Sequence, residues 1–205
     1  TVDADNYDFI GYAYFNYHLN NEDSPTYASR GWKLNINGKY LVPVIKMEDG
    51  SRMGNSIVVR ADLDGSIALG KKLSMKLGAT VGTSLNGNEP PLSYRFFVGG
   101  QSHMKYFDNI ISFDGLKFTQ LYGDHIALAK ISWQYNIYKN IYAIANFNGG
   151  YVSDNYNEWL TDDSFVFGCG LTLGMNTMAG PIEVSLMGSN RCSGLVGFLN
   201  VGYWF

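Results

Sequence analysis

Histidines are the first side chains to consider for catalysis, and in this sequence they stand apart from one another. His18, His103 and His125 lie on separate segments, and no Ser-His-Asp order or G-x-S-x-G motif accompanies them. Each is better explained as a polar residue of a strand end or loop. Because histidines and cysteines do not cluster, the sequence also offers no metal site. We therefore predict no enzyme and no cofactor.

Asp62 and Asp64 form a pair of carboxylates whose spacing suits acid–base chemistry. Residues two apart on a strand point to the same face and lie roughly 6 to 7 Å from each other. Arg60 extends the same face with a cation. A ladder of charges lining a lumen explains the three residues more simply, and a catalytic carboxylate pair is the alternative.

Two further motifs have structural explanations. Gly99-Gly100 resembles a loop that cradles a phosphate, but no helix follows and the Lys-Ser/Thr of a P-loop is missing, so we predict a backbone turn. Cys169 falls in the middle of a predicted strand, on an apolar face, and Cys192 falls in a loop. This placement gives no support for a disulfide.

Composition favours strands and argues against nucleic acid as a partner. Aromatic residues make up 15% of the chain, with 24 Gly and only 5 Pro. The 15 Lys and Arg residues are spread along the chain and are outnumbered by 18 Asp and Glu residues, so they form no basic stripe. No apolar run approaches the roughly 18 to 20 residues of a spanning helix, whereas a barrel strand spans with about 9 to 11 alternating residues.

Alternation of apolar and polar residues is the dominant pattern, and it predicts nine strands. In 126–137, for example, Ile131 and Trp133 share one face while Lys130 and Gln134 share the other. The predicted strands are 7–19, 32–44, 57–69, 73–85, 126–137, 141–151, 165–175, 182–188 and 195–205. Tight turns at 70–72, 138–140 and 178–180 alternate with long polar connections at 46–56, 86–123 and 152–163. Outer-membrane barrels have short turns on one side and long extracellular loops on the other.

A soluble sandwich or lipocalin-like barrel also has alternating strands, and three features favour a membrane barrel instead. Aromatic residues lie towards strand ends, as a girdle at the membrane interfaces requires: Tyr7, Phe9, Trp32, Tyr40, Tyr151 and Trp204. The polar face mixes both charge signs, as a lumen does: Arg60, Asp62, Asp64, Lys76, Lys130 and Glu183, with Lys76 grouped with Glu183. The chain also stops at an aromatic strand residue. We predict an all-β, antiparallel transmembrane barrel with a polar lumen, one domain over 1–205, in contact with outer-membrane lipid.

Several motifs, in their order along nearly the whole chain, resemble the C-terminal half of barrels in the surface-antigen superfamily. This superfamily includes the BamA-type insertase, two-partner-secretion transporters and barrels fused to patatin-like lipases. The matching stretches are Ser24-Pro25-Thr26 with Ser29-Arg30-Gly31, Phe96-Phe97-Val98-Gly99-Gly100, Gly168-Cys169-Gly170-Leu171 and Ala179-Gly180-Pro181-Ile182. In addition, Gly202, Tyr203 and Phe205 resemble the C-terminal signal read by the barrel-assembly machinery. The resemblance implies that machinery as a partner.

The resemblance also implies that the long loop 86–123 folds into the lumen. The aromatic-x-x-Gly-Gly motif of Phe96, Gly99 and Gly100 marks the beginning of this loop in the family. The family's loop usually carries an Arg-Gly-aromatic tip whose arginine reaches a carboxylate on the barrel wall. Here the matching tip is Asp114-Gly115-Leu116. The missing arginine disfavours insertase activity, and a loop with this tip looks more like that of the patatin-linked branch.

Nine strands leave the two ends of the chain on opposite sides of the membrane, whereas an intact barrel normally has an even number. We expect either the C-terminal part of a barrel of about sixteen strands, an eight-stranded barrel without 7–19, or one barrel shared by two chains, such as a homodimer. Three functions follow: insertion or translocation of a client polypeptide, an anchor and export barrel for a patatin-like phospholipase, or a small structural barrel or pore.

Overall fold

The computed structural model describes residues 10–43, 54–85, 90–101 and 107–202. Within these ranges the chain forms twelve β-strands and three single-turn 3-10 helices. The strands are β1 (Ile10–Asn20), β2 (Gly31–Pro43), β3 (Ser56–Ala68), β4 (Leu73–Leu85), β5 (Phe96–Val98), β6 (Ile110–Ile111), β7 (Leu121–Gly123), β8 (His125–Tyr138), β9 (Ile141–Ser153), β10 (Phe165–Thr177), β11 (Gly180–Ser189) and β12 (Val196–Val201). No helix in this part of the chain is long and apolar enough to cross a membrane.

The nine longest strands form one antiparallel sheet in the order β1-β2-β3-β4-β8-β9-β10-β11-β12. Strands that follow one another along the chain are neighbours in the sheet, and only the long loop separates β4 from β8. The predicted all-β antiparallel fold is confirmed, and the strand bounds agree to within a few residues. Residues 7–9 of the first predicted strand lie outside the described residues, as do Tyr203 and Phe205 of the C-terminal signal.

The two faces of the sheet differ sharply, and β10 shows the difference best. Its residues alternate between exposed and buried from Phe165 to Met175. The exposed set is apolar, including Phe167 and Leu171, and forms the outer face. The buried set is small, including Gly168 and Thr172, and faces the interior. An apolar outer face is the arrangement of a strand that contacts lipid.

Connections of unequal length divide the sheet into two ends. The tight turns 69–72, 139–140 and 178–179 lie at one end, called the short-turn end here, together with the longer connection 21–30. The strand ends joined by the connections 44–55, 86–124, 154–164 and 190–195 lie at the opposite end, called the long-loop end. Because eight antiparallel steps separate them, β1 and β12 run in the same direction.

The long loop carries its own small sheet and packs on the inner face. Strand β5 lies between β6, to which it is parallel, and β7, to which it is antiparallel. Apolar loop residues make a buried cluster with residues of the wall: Phe96, Val98, Ile111, Phe113 and Leu116 from the loop, and Leu41, Val58, Ile126, Leu128 and Val166 from the wall. The predicted polar lumen is therefore wrong for the long-loop end, because the wall there must bury apolar loop side chains.

Candidate functional site: a loop fastened inside the barrel

Gly99 and Gly100 form the backbone turn that the sequence predicted. Both have positive φ, 139° and 71°, a region that favours glycine. A Cβ added at Gly99 would lie 2.2 Å from the carbonyl oxygen of Lys117, so no larger residue fits. The Gly100 N–H donates to the Leu116 carbonyl at 3.1 Å. The turn thus closes the loop on itself and brings its tip towards the wall.

The loop tip carries a buried carboxylate, that of Asp114, which is 0% exposed. The Nζ of Lys130, on β8, lies 2.8 Å from Asp114 Oδ2. On the other oxygen, Asp114 Oδ1, the carboxylate accepts hydrogen bonds from the side-chain amides of Gln101 and Asn146. A charge removed from water is tolerated when it is paired and hydrogen-bonded, and Asp114 has both.

Around this ion pair the loop backbone lies unusually close to the wall. A Cβ added at Gly168 would lie 2.0 Å from the carbonyl oxygen of Asp114, and one added at Gly115 would lie 2.2 Å from that of Gly188. The Asn148 side-chain amide donates to the Asp114 carbonyl at 3.1 Å, and the Ser189 hydroxyl donates to the Gly115 carbonyl at 2.9 Å. Glycines in the wall and at the tip therefore create the space in which the loop docks.

Gln101 extends the polar contacts from the tip to β11. Its side-chain amide donates to Asp114, and its oxygen accepts a hydrogen bond from the Ser185 hydroxyl at 2.8 Å. Ser185 in turn bonds to Thr172 on β10, with 2.7 Å between the hydroxyl oxygens. The loop root and tip are thus tied to the same part of the wall.

A second attachment holds the loop to the opposite part of the wall. Asp108 pairs with Lys39 of β2, and its carbonyl accepts a hydrogen bond from Arg60 of β3. Arg60 also binds Asp62, with Nη2 2.8 Å from Oδ1. These strands precede β4 in the sheet, whereas the tip contacts lie on β8, β9 and β11, so the loop is fixed to two different parts of the wall.

The two aspartates that suggested acid–base chemistry have separate partners. Asp62 Oδ1 accepts hydrogen bonds from Arg60 and from the Thr80 hydroxyl, the latter at 2.7 Å. Asp64 Oδ2 lies 3.3 Å from Lys33 Nζ. Because each carboxylate has its own cation, the arrangement fits a charge ladder and gives no shared-proton pair.

Lys76 and Glu183, which the sequence grouped as opposite charges of one lumen, also have different partners. Lys76 Nζ donates to the Thr26 carbonyl at 3.4 Å. Glu183 accepts hydrogen bonds from the Tyr27 hydroxyl at 2.9 Å and from Asn200 at 3.4 Å. The connection 21–30 reaches both residues, and it lies between them because it crosses the interior at the short-turn end.

The remaining candidates stay apart. His18 lies on β1, and His125 Nδ1, on β8, is 2.8 Å from the Thr83 hydroxyl. His103 lies outside the described residues. Cys169 is exposed on the outer face, Cys192 is partly buried, and both are free thiols. In the described ranges no three acidic, His or Cys side chains gather as metal ligands.

The family model described as the OMP85 superfamily matches residues 1–205, the whole chain. The chain belongs to the OMP85 superfamily. The crystal structure of BamA from Haemophilus ducreyi lacking POTRA domains 1–3 is similar to it, with a TM-score of 0.64 and 15% identity. The match covers 91% of this chain and 42% of the BamA chain. This OMP85 chain thus spans less than half of that protein's length. No curated protein matches the sequence.

The predicted resemblance to a C-terminal part of a BamA-type barrel is thereby confirmed. In such a barrel the face that holds the loop, opposite the exposed apolar face, is the lumen side. One departure from the expected pattern gains a physical explanation. The resemblance implied a tip arginine bound to a wall carboxylate. In this OMP85 chain the acidic residue, Asp114, is on the loop and the cation, Lys130, is on the wall. The polarity is reversed, and the loop is still anchored.

Proposed function

We propose that this chain is the barrel part of an outer-membrane protein that inserts client polypeptides into the outer membrane or translocates them across it. The observation that carries the proposal is the anchored loop. It fills the lumen with an apolar cluster and a buried ion pair. Because the loop occupies the long-loop end of the lumen, we place the pairing of a client strand at the edge of the sheet.

The last strand has the properties that an edge for client binding needs. Among the described residues, β12 pairs with β11 at six positions, Ile182 to Met187, whereas the other neighbouring strands of the nine-stranded sheet pair at ten or more. Among the described strands β12 lies at one edge of the sheet, and an edge strand is a template for pairing with another strand. A short ladder contributes few hydrogen bonds, so β12 should separate from β11 more readily than the other neighbouring strands separate from each other.

The orientation and partners follow from the same proposal. Short turns of outer-membrane barrels are periplasmic and long loops extracellular, so the connection 21–30 faces the periplasm and the root of the long loop faces outward. Outer-membrane lipid contacts the outer face. The barrel-assembly machinery is proposed to recognise the C-terminal strand, including Gly202, and a second copy of the chain is a candidate neighbour at the sheet edge.

The alternatives have less support. A passive pore needs an open lumen, and the anchored loop occupies it. An anchor for a patatin-like lipase was favoured by the missing tip arginine. Because Asp114 anchors the loop through Lys130, the missing arginine no longer argues against insertion.

Reconstitution tests the proposal directly. The full-length natural protein is placed in liposomes, and a urea-unfolded small outer-membrane barrel is added. We expect the folded, heat-modifiable client to appear faster than in empty liposomes, and a variant carrying both Asp114→Ala and Lys130→Ala to lose most of the acceleration. Equal client folding in protein-containing and empty liposomes, together with ion flux through the protein, would contradict the proposal and favour a pore.

A further inference from the structure

The connection 21–30, called the short-turn plug here, is a structured unit. The Asp23 carboxylate accepts hydrogen bonds from the Ser29 N–H at 2.7 Å and the Ser29 hydroxyl at 2.6 Å. The Arg30 N–H donates to the same carboxylate at 3.2 Å, and the Asp23 N–H donates back to the Arg30 carbonyl at 3.0 Å. Four hydrogen bonds of ordinary length thus close residues 23–30 into a ring.

The plug reaches across the inner face at the short-turn end, from β1 and β2 as far as β11. Tyr27 and Ala28 are buried, although they belong to a connection between two strands. The Tyr27 ring stacks on that of Tyr142 of β9, with 4.3 Å between centroids and a 20° angle between planes. A Cβ added at Gly174 of β10 would lie 2.3 Å from the Tyr27 hydroxyl oxygen. The ring occupies a notch that this glycine leaves in the wall.

The attachment of the plug to the wall is weaker than its internal structure. The Tyr27 hydroxyl donates to Glu183 at 2.9 Å, an ordinary length. At its root the plug is also tied to the adjoining strand β2, where Asn21 bonds to Trp32 at 2.6 and 3.0 Å. The hydrogen bonds to strands further round the wall, other than that of Tyr27, are longer than usual: Gln134 to the Tyr27 carbonyl at 3.3 Å, Lys76 to the Thr26 carbonyl at 3.4 Å, and Ser66 to Glu22 at 3.4 Å. Tyr27 is therefore the main fastening.

We propose that the short-turn plug is a gate that leaves the wall as one rigid unit when Tyr27 separates from Glu183, opening the lumen to a polypeptide at that end. That a polypeptide enters the opened lumen rests on the proposed function, whereas the movement of the plug away from the wall does not. Glu183 lies on the β11–β12 hairpin and also accepts a hydrogen bond from Asn200 of β12. The fastening therefore lies beside the edge where a client strand is proposed to pair.

The test measures access to Ala28, which is 2% exposed. In the full-length protein with Cys169→Ser and Cys192→Ser, Ala28→Cys is labelled with a membrane-impermeant maleimide. Tyr27→Phe removes the hydrogen bond to Glu183. The labelling rate should rise about tenfold, because losing a hydrogen bond to a charged group shifts the equilibrium between closed and open plug by at least about that factor. Gly174→Ala should raise it as well, because the added Cβ displaces the ring. Tyr17→Phe, on the outer face, is the matched control and should change it less than about twofold.

Amide hydrogen exchange without the cysteine substitution distinguishes rigid movement from melting. In Tyr27→Phe the Ser29 amide should keep its protection while Ala28 becomes accessible. Unchanged labelling in both Tyr27→Phe and Gly174→Ala, or loss of Ser29 protection alongside increased labelling, would overturn the gate. Neither assay contains a client. Failure of client insertion with a plug that opens as expected would therefore refute the proposed function and leave the gate standing.

Discussion

Lys130→Met should destabilise the folded barrel strongly, because it leaves the Asp114 carboxylate without its cation. The Asp114 side chain is 0% exposed, whereas that of Lys130 is 35% exposed. Removing one partner of a buried ion pair costs about 3 to 5 kcal/mol. Asp114→Asn should cost less, about 1.5 to 3 kcal/mol, because the cation that it leaves behind, Lys130, keeps access to water.

Lys33→Met supplies the matched control. The Lys33–Asp64 pair also links a lysine to a carboxylate of the lumen, at 3.3 Å, but both side chains are 41% exposed. Exposed pairs contribute about 0 to 1 kcal/mol, so this substitution should change stability little. The double variant of Asp114→Asn with Lys130→Met should cost less than the sum of its two single changes, because both act on one pair.

Urea titration of the protein in lipid vesicles measures these free energies of unfolding, with heat modifiability on gels as a check that each variant folds. The reasoning is refuted if Lys130→Met costs no more than Lys33→Met, or if the two changes at the ion pair are simply additive. Either result would mean that the loop tip is not held by this contact.

Two further predictions concern close packing and pH. Gly168→Ala should lower the free energy of unfolding by about 1 to 3 kcal/mol or more, because its Cβ would lie 2.0 Å from the Asp114 carbonyl oxygen. Gly65→Ala is the control: its Cβ would meet nothing within 4 Å, so it should have a small effect in the same urea titration. Hydrogen bonds from the Ser29 side chain and backbone hold the pKa of Asp23 below its ordinary value of 3.8. A carboxyl group whose pKa is lower in the folded than in the unfolded state stabilises the folded state at pH values above its unfolded pKa. The Ser29 amide protection, corrected for intrinsic exchange, should therefore be constant from about pH 5 to 8 and fall only as the pH drops below 3.8. A loss of protection near neutral pH would contradict this.

Much of the fold could be predicted because alternation is local. A strand in contact with lipid on one side and a packed interior on the other repeats every two residues, and this pattern placed the wall strands to within a few residues. The turn at Gly99-Gly100 followed from glycine chemistry and the absence of a following helix. The apolar side chains Ile126 and Leu128 on the inner face were not predicted, because the loop that covers them comes from a distant part of the sequence.

The anchoring contacts were not predictable for the same reason. The sequence singled out both Asp114 and Lys130, but their pairing depends on the path of the loop through the lumen. No local pattern marks Tyr27, which lies between the Ser24-Pro25-Thr26 and Ser29-Arg30-Gly31 motifs, as the residue that reaches the notch at Gly174. One local indication was present: glycines recur at inner-facing positions of β10, where a strand ordinarily carries side chains, and such positions mark a close approach of other parts of the chain.

Site-specific photo-cross-linking in growing cells tests the central claim, that clients are handled at the sheet edge formed by β12. A photoreactive amino acid replaces Leu199 of β12 in one strain and Leu171 of β10 in another, two outward residues that are 66% and 68% exposed. We predict adducts with newly made outer-membrane polypeptides at position 199 and none at position 171, which lies on a strand paired on both sides. The absence of polypeptide adducts at both positions, or equal adducts at both, would contradict the account.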